Sequence, residues 1–128
     1  LRDRVTFAGD LQANEVRDWY QQASIAVNMS PVGLFDKSAL ESMACGVPTV
    51  VCNPEFDNLH GDYRALLSAD SPTDEAGLRT CIESLLKMST DGRGRIGQTQ
   101  RDGVIAHHSL AQLIQRLLYV LQTGDVPR

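Results

Sequence analysis

The chain has 128 residues, 42% of them hydrophobic and 22% charged, with a formal net charge of −4 and a pI near 5.2. That length and composition fit one ordinary globular domain with a modest core. The acidic balance, with no basic stripe interleaved with aromatics, excludes a nucleic-acid surface or a surface for anionic membranes.

Residues 4–9, R-V-T-F-A-G, read as a strand ending on a glycine. Residues 14–23 follow as a helix with Val16, Trp19, Tyr20 and Ala23 on one face, the two aromatics facing the core. Residues 25–29 are an apolar run too short for a helix and bounded by Ser30-Pro31, hence a buried strand. The loop 30–35 leads into a helix starting near Asp36 or Ser38, with Ala39, Leu40, Met43 and Ala44 as its apolar stripe and Glu41 toward the other flank. Gly46 is its left-handed stop, Pro48 blocks continuation, and residues 49–52 are a β-branched strand. Strand, short helix and strand joined this tightly predict a parallel pair in a covered sheet.

Residues 53–62 form a polar, turn-rich loop at the same edge of the sheet. Asp57, His60 and Asp62 could be drawn as metal ligands, but their spacing fits no compact motif. A short strand is expected at 65–68, ending the sheet. Ser71-Pro72-Thr73-Asp74 reads as a helix start with Ser71 as cap, followed by a core-facing stripe of Leu78, Cys81, Ile82, Leu85 and Leu86. Residues 91–106, with glycines and the basic cluster Arg93, Arg95 and Arg101, predict a frayed or broken surface helix. Ser109-x-x-Gln112 opens a last helix with Leu110, Leu113, Ile114, Leu117, Leu118 and Leu121 on one face, after His107 and His108 as capping or surface residues. The three cysteines, Cys45, Cys52 and Cys81, fall in apolar patterns and read as reduced, buried thiols. No secretory signal and no membrane-spanning run is read, and no nucleophile has a base and orienter beside it.

The chemistry concentrates at 28–51. A helix that starts at the carboxyl end of a parallel strand, after a glycine-bearing loop, turns free N–H groups and a positive dipole end toward a crevice, which suits phosphate. Lys37 in the first turn opposes the dipole, a cost that a bound anion would offset. Glu41, one turn on, can accept two hydrogen bonds from a vicinal diol such as ribose. The plainer alternatives are that Ser38-x-x-Glu41 is a capping box, that Lys37 is solvated, and that Gly33 only permits a tight turn.

The run S-P-x-G-x-x-D-K-x-x-L-E-x-M-A-C-G-x-P-T-V-V, residues 30–51, closely resembles the nucleotide-sugar-binding segment of retaining GT-B glycosyltransferases of family 4. In that family two glutamates sit eight residues apart, one near the donor sugar and one on the ribose, with amides between them holding the diphosphate. The resemblance implies that Glu41 is the ribose residue and that Gly33 stands where the sugar-facing glutamate would be. The G-x-x-D-K form of the loop goes with a bacterial subset in which Asp36 and Lys37 take part of that role. Gly33, Leu34, Phe35, Asp36 and Lys37 are then donor contacts, with Lys37 and the amides of 35–37 stabilising the leaving diphosphate.

Residues 5–9 resemble the family's V-x-F-x-G strand, which implies base contacts from Gly9, Asp10 and Leu11. The implied fold is a Rossmann-like, three-layer α/β/α domain with a mainly parallel sheet, residues 1–128 being part of the C-terminal, nucleotide-sugar-binding half of a GT-B enzyme. The implied reaction moves a sugar from a nucleoside diphosphate to a glycan or glycolipid, without metal or other cofactor. It needs an N-terminal acceptor domain expected upstream of Leu1, so the piece alone is expected to bind donor weakly and transfer nothing. The implied location is cytoplasmic, peripheral at the inner membrane through that other domain, with a second copy covering an exposed sheet edge. A different reading is a non-catalytic Rossmann-like module for protein contact, which the missing first glutamate allows.

Overall fold

Two short strands, one of them wholly β-branched, and the helix between them form the centre of the fold. In the computed structural model, which describes residues 2–34 and 36–126, β1 (Ala26–Asn28) lies parallel to β2 (Thr49–Val51), with Val27 opposite Val50. Helix α2 (Lys37–Ala44) makes the crossover. Gly46, at φ +76°, ends it: its N–H donates to Met43 O at 2.9 Å while Val47 N–H reaches back to Ser42 O. The left-handed residue closes the helix as expected and turns the chain into β2.

Because successive strand residues face opposite sides, Val50 and Val51 anchor two cores. Val51 packs with Ala39, Met43, Phe56, Leu59 and Val104, and Val50 with Leu67, Cys81, Leu85 and Ile96. Each large apolar side chain so buried contributes about 1.5–3 kcal/mol. Besides α2 the helices are α1 (Ala13–Gln22), a short α3 (Arg64–Leu67), α4 (Glu75–Lys87), α5 (Thr90–His108) and α6 (Leu110–Thr123), with 3-10 segments at Arg2–Arg4, Pro54–Leu59 and Gly61–Tyr63. α1 and α6 place no residue in these cores. No described helix is long and apolar enough to cross a membrane.

The sheet is smaller than expected. Residues 5–9 form no strand; Phe7 is 94% exposed, and an isolated extended run has no ladder to satisfy its backbone. Residues 65–68 are not a strand either. Arg64–Leu67 is a helical turn that drops Leu67 under Val50, leaving Ser68 to bridge Val51 and Ala69 N–H to donate to Val51 O at 2.9 Å. Among the described residues the outer edge of β1 has no strand beside it.

Other expectations are corrected by packing. Trp19 is not core but 54% exposed, and Leu86 is also exposed. α4 is capped by Asp74 rather than Ser71: its Oδ1 accepts from Gly77 N–H at 2.9 Å and its Oδ2 from Asp70 N–H at 3.0 Å. α5 is neither frayed nor at the surface. It runs unbroken for 19 residues and buries Ile96, Gly97, Gln100 and Val104. Two of its glycines serve close approach: a Cβ at Gly97 would overlap the carbonyl oxygen of Gly46, and one at Gly103 would crowd Leu59. Two of its arginines cap other helices: Arg93 donates to Leu85 O and Met88 O at the end of α4, and Arg101 to Ala44 O at the end of α2. α6 forms as expected with Ser109 as its cap, but its apolar face, Leu110 to Leu121, stays open, 46 to 72% exposed at the six positions of the stripe.

Candidate functional site

An asparagine at the end of β1, Asn28, and another two residues past the end of β2, Asn53, gather the loop between β1 and α2. Asn28 Nδ2 donates to Asp36 Oδ2 and to Ser38 Oγ, both at 2.8 Å, while its Oδ1 accepts from Ser30 N–H at 3.0 Å. Ser30 Oγ also donates to Asp36 Oδ2 at 2.8 Å. From just past β2, Asn53 Nδ2 reaches Leu34 O at 3.3 Å and Pro31 O at 3.5 Å, and the Cys52 thiol donates to Ser30 O at 3.3 Å. Residues 30–34 are thereby fixed in the crevice where open α/β sheets bind their ligands.

Within the loop, Leu34 N–H donates to Pro31 O at 3.1 Å, and Gly33 sits at the third position of that turn with φ +85°. A turn of this kind requires a positive φ there, which glycine adopts without strain and glutamate does not. The backbone thus accounts for Gly33 by itself.

Asp36 is the N-cap of α2, its Oδ1 accepting from Ser38 N–H at 2.9 Å, and Ala39 N–H bonds Asp36 O at 3.2 Å. The helix start therefore already carries the chain's own carboxylate, where free amides were expected. Hydrogen bonds from Asn28, Ser38 and Ser30 hold that carboxyl well below the usual carboxylate range. Phe35 lies outside the described residues.

Glu41 is not part of a capping box. Its carboxylate lies 3.6 Å from Lys37 Nζ, one turn back on its own helix, in an exposed pair. It also lines a cavity of about 340 Å³ between α1 and α2, with Ala13, Val16, Arg17, Tyr20, Ala44 and Cys45. Tyr20 joins the two helices, its hydroxyl donating to Ser38 O at 3.4 Å, and burial, then the nearby Glu41 and Asp36 charges, push its phenol up. Gly9, Asp10 and Leu11 lie in the coil leading into α1, and none of them lines this cavity.

The structure thus brings Asp36, Lys37 and Glu41 to the start of one helix beside an ordered loop, while Gly9, Asp10 and Leu11 stand in the coil before α1. Sequence reading missed Asn28 and Asn53, whose signal was a short polar residue at or just past each strand's carboxyl end. It also missed Arg17 and Tyr20, which look in sequence like ordinary helix-face residues. Asp57, His60 and Asp62 form no ligand cluster. Asp57 is paired with Arg64 Nε at 2.7 Å and His60 is buried, and no described cluster of three or more His, Cys, Asp or Glu could hold a metal.

A family model described as Glycosyl transferases group 1 matches residues 1–88, from the chain start through α4 and including the whole site. No curated protein and no solved structure matches the chain.

Proposed function

The chain belongs to the glycosyl transferases of group 1, and from that membership we propose that it is the donor-binding part of a retaining enzyme that moves a sugar from a nucleoside diphosphate to a glycan or glycolipid acceptor. The observation that carries this reading is Glu41, which lines a cavity of about 340 Å³ between α1 and α2, on the helix whose cap closes the fixed loop 30–34. Its carboxylate accepts the ribose hydroxyls on leaving Lys37, a cheap exchange because an exposed ion pair of this kind is worth about 0.3–0.5 kcal/mol. Lys37, so freed, lies against the diphosphate and stabilises the charge that develops as the sugar departs.

Asp36, its oxygens engaged, shapes the loop rather than touching donor, and the diphosphate meets the Gly33–Leu34 backbone and Lys37 outside the cap. In this reading residues 1–128 are part of the C-terminal domain of a two-domain, Rossmann-like GT-B enzyme acting on the cytoplasmic side, with the acceptor on the other domain. The donor is its only small-molecule requirement.

Calorimetric titration of UDP, GDP and ADP and their sugars tests it. One of these series binds, and Glu41→Ala weakens it by about tenfold or more, the loss of a charge-assisted pair of hydrogen bonds. No binding by any nucleotide, or an unchanged affinity in the variant, ends the reading. The open face of α6 favours a second one, a module kept for protein contact, under which both of those negative results are expected.

A further inference from the structure

His60 is fully buried between the segments Pro54–Leu59 and Gly61–Tyr63, and its hydrogen bonding is one-sided. Gln100 Nε2, from the middle of α5, lies 3.1 Å from its Nδ1, while His60 Nε2 is buried with no hydrogen-bond partner. The same Gln100 amide grips the backbone of β2 at both ends: Oε1 accepts from Thr49 N–H, and Nε2 donates to Thr49 O, each at 2.9 Å.

These contacts fix every proton. Thr49 N–H demands an acceptor and Thr49 C=O a donor, so the amide has one orientation. Its nitrogen has one hydrogen left, which goes to His60 Nδ1. Nδ1 is therefore an acceptor, and the imidazole is the neutral tautomer with its proton on Nε2. A second proton on Nδ1 would face the Gln100 N–H, donor against donor, and the amide cannot flip to receive it without breaking both bonds to Thr49.

We infer that His60 and Gln100 form a proton-sensitive latch: α5 is fastened to the first residue of β2 only while the imidazole is neutral, and a proton on Nδ1 releases Gln100 from Thr49. What is released bears on the site. α5 also seats Gly97 on Gly46 and donates from Arg101 to Ala44 O, so it braces the end of α2, the helix that carries Lys37 and Glu41.

The surroundings agree in sign. Burial lowers the histidine from 6.5 to about 4; of the charged groups that reach it, Asp57 favours the cation and Arg64 opposes it, and α5 presents the uncharged Gln100. A folded-state value below the unfolded one means stability that is complete above pH 6.5, falls as pH drops toward 4, and changes no further below it. His108, also lowered by burial, adds a loss of the same sign, so the test is run in a His108→Gln background. The cap carboxylates Asp36 and Asp74 lose their contribution only below the ordinary carboxylate value of 3.8.

Amide hydrogen exchange between pH 7 and 4.5 reads the latch directly. Protection of Thr49 N–H, corrected for intrinsic rate, falls by about tenfold per pH unit below 6.5. Ala26 N–H, bonded to Pro48 O at 2.9 Å across the β1–β2 pairing, keeps a higher and flatter protection, as global unfolding would not allow. In His60→Leu the Thr49 slope disappears. Should that variant fail to fold, the unmodified imidazole decides by NMR titration. A folded-state midpoint near 6.5, or a Thr49 protection that does not change with pH, overturns the latch.

Discussion

Asn28 does at the residue scale what the loop's backbone cannot do for itself. Three short hydrogen bonds from one side chain tie the end of β1 to the cap of α2 and to the turn that follows the strand. Asn28→Ala leaves half-buried oxygens of Asp36 and Ser38 short of a donor, so it should destabilise by about 1–3 kcal/mol in urea titrations. A change below a few tenths would mean that the loop is held from β2 alone. The sequence made the helix start near Asp36 and the turn at Gly33 legible, although its capping pattern points to Ser38 and the role belongs to Asp36. It did not make Asn28 legible, because its partners are eight and ten residues away and are defined only once the strand and helix are placed.

At the scale of elements, α5 contradicts its own propensities. Glycine costs about 1 kcal/mol in a helix interior relative to alanine, and a helix with so many reads as broken. Tertiary packing reverses this where the glycine admits a neighbour. Gly97 lies against the Gly46 carbonyl, whereas Gly94 has nothing within 4 Å of an added Cβ. Gly94→Ala should therefore stabilise by about 0.5–1 kcal/mol and Gly97→Ala destabilise by about 3 kcal/mol or more, a difference of sign that thermal unfolding resolves. Two positions three residues apart in one helix look identical to a propensity scale. The parallel β1–α2–β2 unit was legible for the opposite reason: its period, glycine stop and proline act within a few residues. The strands expected at 4–9 and 65–68 were not, because a strand exists only with a neighbour.

Across the whole molecule, stability and surface are divided unevenly. Both buried clusters draw on β2 and α5, one adding α2 and the other α3 and α4, while α6 contributes six exposed leucine and isoleucine side chains and a single charge, Arg116. Leu117→Gln should alter the unfolding free energy by less than about 0.5 kcal/mol, since the side chain leaves no cavity behind. A loss of 2 kcal/mol or more on chemical denaturation would mean that this face is covered in solution. The stripe was plain in the sequence, but its apolar spacing is the same whether the face meets this chain or another.

One asymmetry remains to be followed out. On the far side of β2, Gln100 occupies the backbone of Thr49 and Ala69 takes the carbonyl of Val51. That flank is sealed by a side chain at one end and a turn at the other, so no incoming segment can ladder onto it. Growth of the sheet is consequently one-directional: any strand that widens it must settle alongside Ala26–Asn28, and one running parallel would bring its own carboxyl end to the Asn28–Ser30 corner.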